Sequence, residues 1–493
     1  MDHKSYYSAL AALWGAGLLL LALAGPGCKA PRASFTVVRF EDKSWYESEF
    51  KPLTADYRVF DPALRDFASV KMLQARRLAA VHPERPVEPD TWSFFAAAQQ
   101  GDWRQAHHLY WKLASLWEQG AEGGRDEQMA TAVWYPVHET FRAYELVSHA
   151  PAEFLRIGLE ITNSMPSGSI YFGGSDPGRF LFAFLNSSRT NGEPFFTLTQ
   201  NALHDGMYLE SVREMYGGKL NLPTSNDLHR AWATHLTARD RSDPGASSQK
   251  DQTQILGGVG GTDPAVQREI NGHLVQTILE MNPTREGFIE GNVRFNWNEP
   301  HLVPHGLIFH LHREPLTELS EDIVRRDRNF WGHQVARLLG RDLAQNLSVT
   351  NLAHFLEQVW VDRDLSGFKG DPDYIREGRP REDRTDDLNP AVVLAAARLA
   401  IADLYLWRAQ TAVTENARAR MLREADLAYR QALALGPYDF TISQSYLDFL
   451  ASQQRFGEIL RLVEMTPRLF PEKDLQDWQQ QWRDLVEREK SRP

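Results

Sequence analysis

The sequence predicts an α/β plus all-α protein. We expect a Rossmann-like parallel-sheet domain between two helical regions, with tetratricopeptide-like repeats at the C-terminus. Short β-rich runs alternate with helical periodicity in residues 151–318, which is typical of a parallel sheet. Apolar residues recur at steps of three and four in residues 29–150 and 319–493, which indicates helices. Phe94–Gln100 and Trp103–Leu116 predict a helical hairpin with its turn at Gly101–Asp102. An apolar segment over residues 1–28 precedes these regions. A length of 493 residues suits about three domains.

Composition narrows the class of protein. Hydrophobic residues make up 42% and charged residues 24% of the chain, which fits a folded globular protein. Lys and Arg number 54 against 65 Asp and Glu, a net charge of −11, so we expect no nucleic-acid partner. The chain has one cysteine, which excludes an internal disulfide framework and a cysteine-based zinc or iron–sulfur site. We assign no metal, cofactor or catalytic residue from the sequence.

The N-terminal segment predicts a membrane tether. Ala9–Gly27 carries no charge over 19 residues, has a leucine-rich core and ends directly before Cys28. Bacterial lipoproteins carry their lipidated cysteine in this position, and the segment resembles theirs, with Gly25 and Pro26 departing from the usual pattern. Cys28 is thus a candidate lipidation site. An uncleaved anchor, a cleaved secretion signal and a buried helix are the alternatives. We expect a cell-envelope protein facing the periplasm or exterior.

The middle region predicts the sheet. The β-rich runs Ser169–Phe172 and Phe195–Leu198 are separated by the helical run Arg179–Leu185. A helix of this length between two strands makes a right-handed parallel crossover the default. A helix is predicted over Pro264–Met281, and two further β-like runs follow it, Gly287–Phe295 and Leu307–His312. We therefore expect the first two strands to be parallel neighbours.

The C-terminal region predicts repeats. Ala425, Tyr429, Ala432 and Pro437 have the spacing of the second helix of a tetratricopeptide repeat, and Pro471 lies one 34-residue period after Pro437. Stacked helix pairs of this kind commonly offer a groove to a peptide or protein. We expect a protein partner there, and structural packing is the alternative.

The strongest candidate ligand site is the turn after the first predicted strand. Glycines there permit a tight turn and close approach of a ligand, and ligands of open α/β sheets bind beyond the carboxyl ends of the strands. Neither the dinucleotide nor the P-loop spacing is present, and plain helix capping by the aspartate is the alternative. The candidate residues of this turn are Gly173, Gly174, Ser175, Asp176 and Arg179.

Two further groups of residues extend this candidate site. Asn201 and Asp205 follow the second predicted strand, and in a parallel sheet that turn lies at the same edge as Asp176. Two carboxylates and an amide suit a sugar, a divalent cation or a water, and an exposed helix start is the alternative. Trp297, between two asparagines, suits stacking on a sugar. Pro300 and Pro304 prevent the helix that would align His301 and His305 for zinc.

Three runs carry a resemblance to a known group of proteins. They are GSIYFGGSDPGRFLFAF, EPFFTLTQNALHDGMYLESVREMYGGKL and HLVPHGLIFHLHREPL. The chain resembles uncharacterised membrane-anchored tetratricopeptide-repeat proteins of Verrucomicrobia-like bacteria from about residue 150 to 470. It is more faintly similar to the soluble tail of the multi-pass membrane family that includes a vertebrate protein O-mannosyltransferase, through Pro304–Leu307. The resemblance implies an α/β module outside a membrane, but it does not imply a catalytic activity for this chain.

Two functions remain open from the sequence. The first is a membrane-tethered extracytoplasmic interaction or scaffold protein with an α/β domain that binds a ligand or packs structurally. The second is an enzyme or accessory subunit that acts on a sugar- or phosphate-bearing substrate in envelope glycoconjugate metabolism. Convergence of the candidate residues in one open cleft would favour the second function.

Overall fold

The computed structural model forms two compact units, described here separately. The α/β unit contains the described residues up to Leu316, and the helical unit contains those from Thr317 onward. Cys28 and the apolar segment around it lie outside the described residues. The residues that the structure describes are 60–121, 132–174, 177–188, 195–242, 264–291, 295, 297–341, 348–380, 388–471 and 473–491.

The α/β unit begins with helices that pack beside the sheet, so the helices before residue 150 and the strands belong to one unit. A five-residue π-helix, Pro177–Leu181, precedes α6. The α-helices of this unit are α1 (Asp61–Val81), α2 (Asp90–Gln100), α3 (Trp103–Ala121), α4 (Trp134–His149), α5 (Ala152–Ser164), α6 (Phe182–Ser188), α7 (Gly206–Tyr216), α8 (Ser225–Ser242) and α9 (Pro264–Met281).

Helices α2 and α3 form a hairpin, as the sequence predicts. Helix α2 ends at Gly101, whose φ of 76° lies in the left-handed region that favours glycine. After the turn, Ala106 and Leu113 are fully buried on one face of α3. Trp103 stacks on Tyr144 of α4, with ring centroids 4.2 Å apart, so apolar burial holds the hairpin against the next helix.

The sheet is mixed rather than wholly parallel. Strand β1 pairs in parallel with β2 and β3, which confirms that the first two predicted strands are parallel neighbours. Strand β5 runs antiparallel to both β3 and β4, so the predicted parallel sheet is corrected for this half. The spatial order is β2-β1-β3-β5-β4. The strands are β1 (Ile170–Gly173), β2 (Phe196–Thr199), β3 (Gly287–Ile289), β4 (Leu302–His305) and β5 (Ile308–Leu311).

Strand β4 is an element that the sequence did not predict, because prolines flank and interrupt it. Pro304 lies inside β4 and pairs with Phe309 of β5. Proline cannot donate a ladder hydrogen bond and is therefore confined to edge strands, which is the position of β4.

Two tyrosines of α7 cover the opposite edge of the sheet, strand β2. The Thr197 amide donates to the Tyr216 hydroxyl at 2.8 Å, and this hydroxyl donates to the Thr197 carbonyl at 2.9 Å. The Thr199 amide donates to the Tyr208 hydroxyl at 2.5 Å. Because these groups are satisfied within the chain, β2 does not present them to another strand.

The helical unit contains a five-residue π-helix, Glu357–Val361, that continues α11. One of its helices, α13, is long and apolar enough to cross a membrane by length and composition alone, and 56% of its apolar window is buried within the protein. The α-helices of this unit are α10 (Glu321–Leu339), α11 (Val349–Leu356), α12 (Pro372–Glu377), α13 (Pro390–Gln410), α14 (Glu415–Leu435), α15 (Phe440–Ser452), α16 (Phe456–Leu469) and α17 (Gln476–Lys490).

From α13 onward, each helix packs on the next along the chain. Ala425 and Ala432 of α14 are fully buried, and Gly436 at its end lies so close to α13 that an added Cβ would approach the Ala391 carbonyl oxygen to 2.6 Å. Pro437 and Pro471 each lie two residues after the end of a helix, α14 and α16 respectively. The C-terminal region is therefore helical, as predicted.

Candidate functional site

The order of the parallel strands creates a switch point. From β1, the chain first forms β2 on one side and later crosses to form β3 on the other side. Open α/β sheets bind ligands in the crevice outside the carboxyl ends of strands at such a point. In this chain the switch point lies where Gly174 follows β1 and Glu290 follows β3.

Glu290 and Gly174 are joined directly at this point. The Gly174 amide donates to Glu290 Oε2 at 2.7 Å. A Cβ added to Gly178 would overlap the Glu290 carboxylate, and one added to Gly173 would overlap the Gly178 carbonyl. The sequence predicts a ligand at these glycines. In the structure they instead allow the backbone to fold tightly around the Glu290 carboxylate.

Asn201 connects the end of β2 to the same turn. Its Nδ2 donates to the Gly174 carbonyl at 2.8 Å, and the residue is exposed. Gly174 therefore hydrogen-bonds through its amide to the residue after β3 and through its carbonyl to a residue after β2. The structure brings Asn201 to the Gly173–Gly174 turn, whereas Ser175 and Asp176 lie outside the described residues.

Two buried side chains near these strand ends have unused polar atoms. Gln200, directly after β2, is 0% exposed, and neither atom of its amide has a hydrogen-bond partner among the described residues. The fully buried Tyr171 hydroxyl likewise finds no partner in the described part of the chain. Burial raises the pKa of Tyr171 well above its ordinary value, and the Glu290 charge raises it further, so the hydroxyl stays protonated.

Asp205 is buried, which differs from the open position that the sequence suggests. Its Oδ1 accepts a hydrogen bond from the Met207 amide at 2.8 Å and caps α7, and its Oδ2 accepts from the Tyr135 hydroxyl. Burial and the adjacent Asp205 charge raise the pKa of Tyr135, while the positive charge of Arg179 opposes that shift. Arg179 also lies over the Phe180 ring, with its guanidinium 4.8 Å from the ring centroid.

Trp297 packs against α9. Its indole Nε1 donates to the Gly272 carbonyl at 3.1 Å, and its ring stacks on Phe295 with centroids 6.2 Å apart. The preceding residue of α9, Asn271, accepts from the His204 amide at 2.9 Å. Trp297 and the turn after β2 therefore contact successive residues of one helix.

Glu290, Gln200 and Tyr171 were not predicted from the sequence. Glu290 was hidden because the predicted strand Gly287–Phe295 is too long, whereas β3 ends at Ile289. With the shorter strand, the carboxyl-end rule would have selected Glu290. Gln200 and Tyr171 gave no local signal, because a lack of hydrogen-bond partners depends on distant contacts.

The described residues contain no group of three or more His, Cys, Asp or Glu side chains arranged to hold a metal ion. The chain matches no family model, no curated protein and no solved structure. The chemistry of the strand ends is therefore the basis for the function proposed below.

Proposed function

We propose that this chain is a membrane-tethered extracytoplasmic interaction protein. In this proposal the α/β unit binds a small polar ligand at the carboxyl ends of β1, β2 and β3, and the helical unit binds a protein partner. The parallel half of the sheet acts as a reduced Rossmann-like core, and the pairs α13–α14 and α15–α16 act as tetratricopeptide-like repeats. The 34-residue spacing of Pro437 and Pro471 supports the repeat assignment.

The Gln200 side chain carries the ligand-binding part of the proposal. A buried amide without hydrogen bonds costs free energy, and buried polar groups are normally satisfied by the protein, by water or by a ligand. Gln200 offers one donor and one acceptor group, Tyr171 offers a donor and Glu290 offers an acceptor. A hydroxyl-bearing ligand such as a monosaccharide matches this set. An anionic ligand matches it less well, because Glu290 already brings a negative charge into the glycine turn.

A ligand screen on the full chain in detergent tests this proposal. We expect one of a set of monosaccharides and polyols to raise the melting temperature of the wild type, with nucleotides, phosphates and divalent ions as comparison compounds. Gln200→Leu should abolish the increase. Gln105→Leu, at an exposed position on α3, is the matched control and should retain it. The binding role fails if no compound separates Gln200→Leu from this control.

The partner-binding role has its own test. Lys473 and Lys490 are exposed in the helical unit, so a lysine-reactive cross-linker applied to envelope membranes should join them to a second protein. Mass spectrometry of the cross-linked peptides identifies the attachment points. Cross-links confined to peptides of this chain would refute the partner role.

The membrane tether is tested at Cys28. Metabolic labelling with a palmitate analogue should mark the wild type and not Cys28→Ser, as expected for a lipoprotein. Retention of both proteins in the membrane fraction without labelling would favour a spanning anchor. Recovery of the wild type entirely in the cytosol would exclude both forms of tether.

The Glu290 carboxylate near the Tyr171 hydroxyl favours a second candidate function. A carboxylate at a switch point can exchange a proton with a substrate, and a phenol that stays protonated can donate a hydrogen bond to it. The second candidate is therefore an enzyme or accessory subunit acting on a sugar- or phosphate-bearing substrate in envelope glycoconjugate metabolism. Once a ligand is found, Glu290→Gln separates the functions. An enzyme would bind this ligand and lose turnover, whereas a binding protein would show no turnover in either form.

A further inference from the structure

A cavity of about 280 Å³ lies in the helical unit. Its walls are the C-terminal end of α10, the end of α11 with the π-helix, and the loop 364–371. Gly340 ends α10 in the left-handed region with φ 64°, and a Cβ there would overlap the backbone of Gly370. The Asp371 amide donates to the Leu338 carbonyl at 3.0 Å, so backbone contacts fix one end of the loop to α10.

The rest of this loop is held by its own hydrogen bonds. The Asp364 amide donates to the Gln358 carbonyl at 2.9 Å, and the Phe368 amide donates to the Leu365 carbonyl at 3.0 Å. Ser366 donates from its amide to Asp364 Oδ1 at 2.9 Å, and its hydrogen bonds lower the pKa of this carboxyl group. A cavity wall fixed in this way loses little conformational freedom when a ligand binds.

The chemistry of the lining differs from that of the chain as a whole. The chain has a net charge of −11, but the described lining contains two cations, Arg341 and Lys369, and no aspartate or glutamate. Neither cation forms an ion pair with any residue that the structure describes. Phe368 supplies partly exposed aromatic surface, whereas Phe355 is only 2% exposed. The Arg341 guanidinium lies 5.1 Å from the centroid of the Phe355 ring.

We infer that this cavity binds a small organic anion that carries a flat ring, such as an aryl phosphate or an aryl carboxylate. Arginine matches the planar oxygen pairs of such anions with two hydrogen bonds, and lysine adds a second positive charge. The partly exposed Phe368 ring and the planar Arg341 guanidinium favour a flat aromatic group over an aliphatic one. This inference is independent of the ligand proposed for the α/β unit, since it uses no residue of that unit.

Isothermal titration calorimetry of the full chain in detergent, with phenyl phosphate as the probe, tests this inference. We expect saturable binding to the wild type, with inorganic phosphate and phenol each binding at least tenfold more weakly, because each provides one half of the interaction. The double variant Arg341→Gln/Lys369→Gln should lose at least tenfold in affinity. Both side chains are exposed, so the fold should tolerate the change. Arg325→Gln on α10 is the control and should bind as the wild type does.

Three outcomes would overturn the inference. The first is no saturable heat from phenyl phosphate up to millimolar concentration, the second is phenol binding as tightly as phenyl phosphate, and the third is the double variant binding as tightly as Arg325→Gln. The far-ultraviolet circular dichroism spectrum of the double variant should match that of the wild type. A loss of affinity then results from the change in the cavity and not from unfolding.

Discussion

The two units place their charged side chains differently. In the helical unit, Arg398 at the centre of α13 is 0% exposed and its Nη1 donates to Asp327 Oδ2 at 2.8 Å. In the α/β unit, Glu290 is half-buried at the end of a strand and accepts from a backbone amide. The first charge is separated from water by packed helices, whereas the second remains accessible. A closed pair of this kind determines stability, whereas a half-buried carboxylate at a switch point can also contact a ligand.

The surroundings of Arg398 support this distinction. Its Nε donates to Gln431 Oε1 at 2.8 Å, and its guanidinium lies 5.1 Å from the centroid of the Trp331 ring. The Tyr405 hydroxyl donates to the same Asp327 oxygen at 2.9 Å. These contacts join α10, α13 and α14. If the comparison is correct, changes at Arg398 should cost much more stability than changes at Glu290.

The largest expected effect follows from Arg398→Met. The substitution leaves the Asp327 charge buried without its partner, which costs about 3–5 kcal/mol. Urea unfolding monitored by hydrogen exchange of peptides from 321–435 measures the loss. The double variant Asp327→Leu/Arg398→Met removes both charges and should recover most of the stability. Equal instability of the single and double variants would show that packing, rather than the unpaired charge, causes the loss.

Ala432→Trp tests close helix packing in the same unit. Ala432 is fully buried on α14, so a tryptophan there overpacks the contact and should cost on the order of 1–3 kcal/mol or more. A lower melting temperature is the expected result. Val413→Trp, at a position that is 86% exposed, is the control and should leave the melting temperature unchanged. An unchanged value for Ala432→Trp in a folded protein would contradict the close-packed repeat arrangement.

Tyr216→Phe tests the covered edge of the sheet. Removing the hydroxyl leaves the amide and carbonyl of Thr197 without these hydrogen bonds, at a cost of about 1–3 kcal/mol. Hydrogen exchange of the β2 peptide should accelerate. Tyr171→Phe on the adjacent strand is the matched control, because its hydroxyl has no partner among the described residues and its loss should not destabilise the unit. Equal effects of the two substitutions would contradict this account of the edge.

Local features of the fold were predictable from the sequence. The bounds of α9, Pro264–Met281, match the predicted helix, and the turn at Gly101 lies where its glycine and the apolar periodicity placed it. These features depend on contacts within one or two turns of chain. The parallel pairing of β1 and β2 was also predictable, because one short helical connection leaves few alternative topologies.

The candidate site was predictable only in part. The sequence located the turn after β1 and Asn201 after β2, and Asn201 does contact the turn. It could not locate the partner of Gly174, because Glu290 is 116 residues away along the chain. The pair Asp327 and Arg398 is separated by 71 residues and was missed for the same reason. Periodicity identifies which face of an element is buried, but it does not identify which side chain lies opposite.

The α/β unit should also lose stability on acidification. Burial lowers the pKa of His107, His204 and His310 below the ordinary value of 6.5. The unfolded chain therefore binds protons before the folded unit does, and unfolding becomes easier as the pH falls below about 6.5. The slope of the unfolding free energy between pH 7 and 5 measures this effect. His204→Gln should flatten the slope, and an unchanged slope would exclude a contribution from this residue.

The smallest expected effect on stability is that of Glu290→Gln. A glutamine oxygen can accept the hydrogen bond from the Gly174 amide, and the half-buried position keeps access to water for the new amide. We expect a change within about 0.5 kcal/mol, as for surface substitutions in general. Urea unfolding of Glu290→Gln and Arg398→Met under the same conditions measures the smallest and the largest expected loss of unfolding free energy. A loss of several kcal/mol for Glu290→Gln would mean that this carboxylate, like that of Asp327, stabilises the fold. The Glu290 charge would then no longer support a ligand site at the switch point.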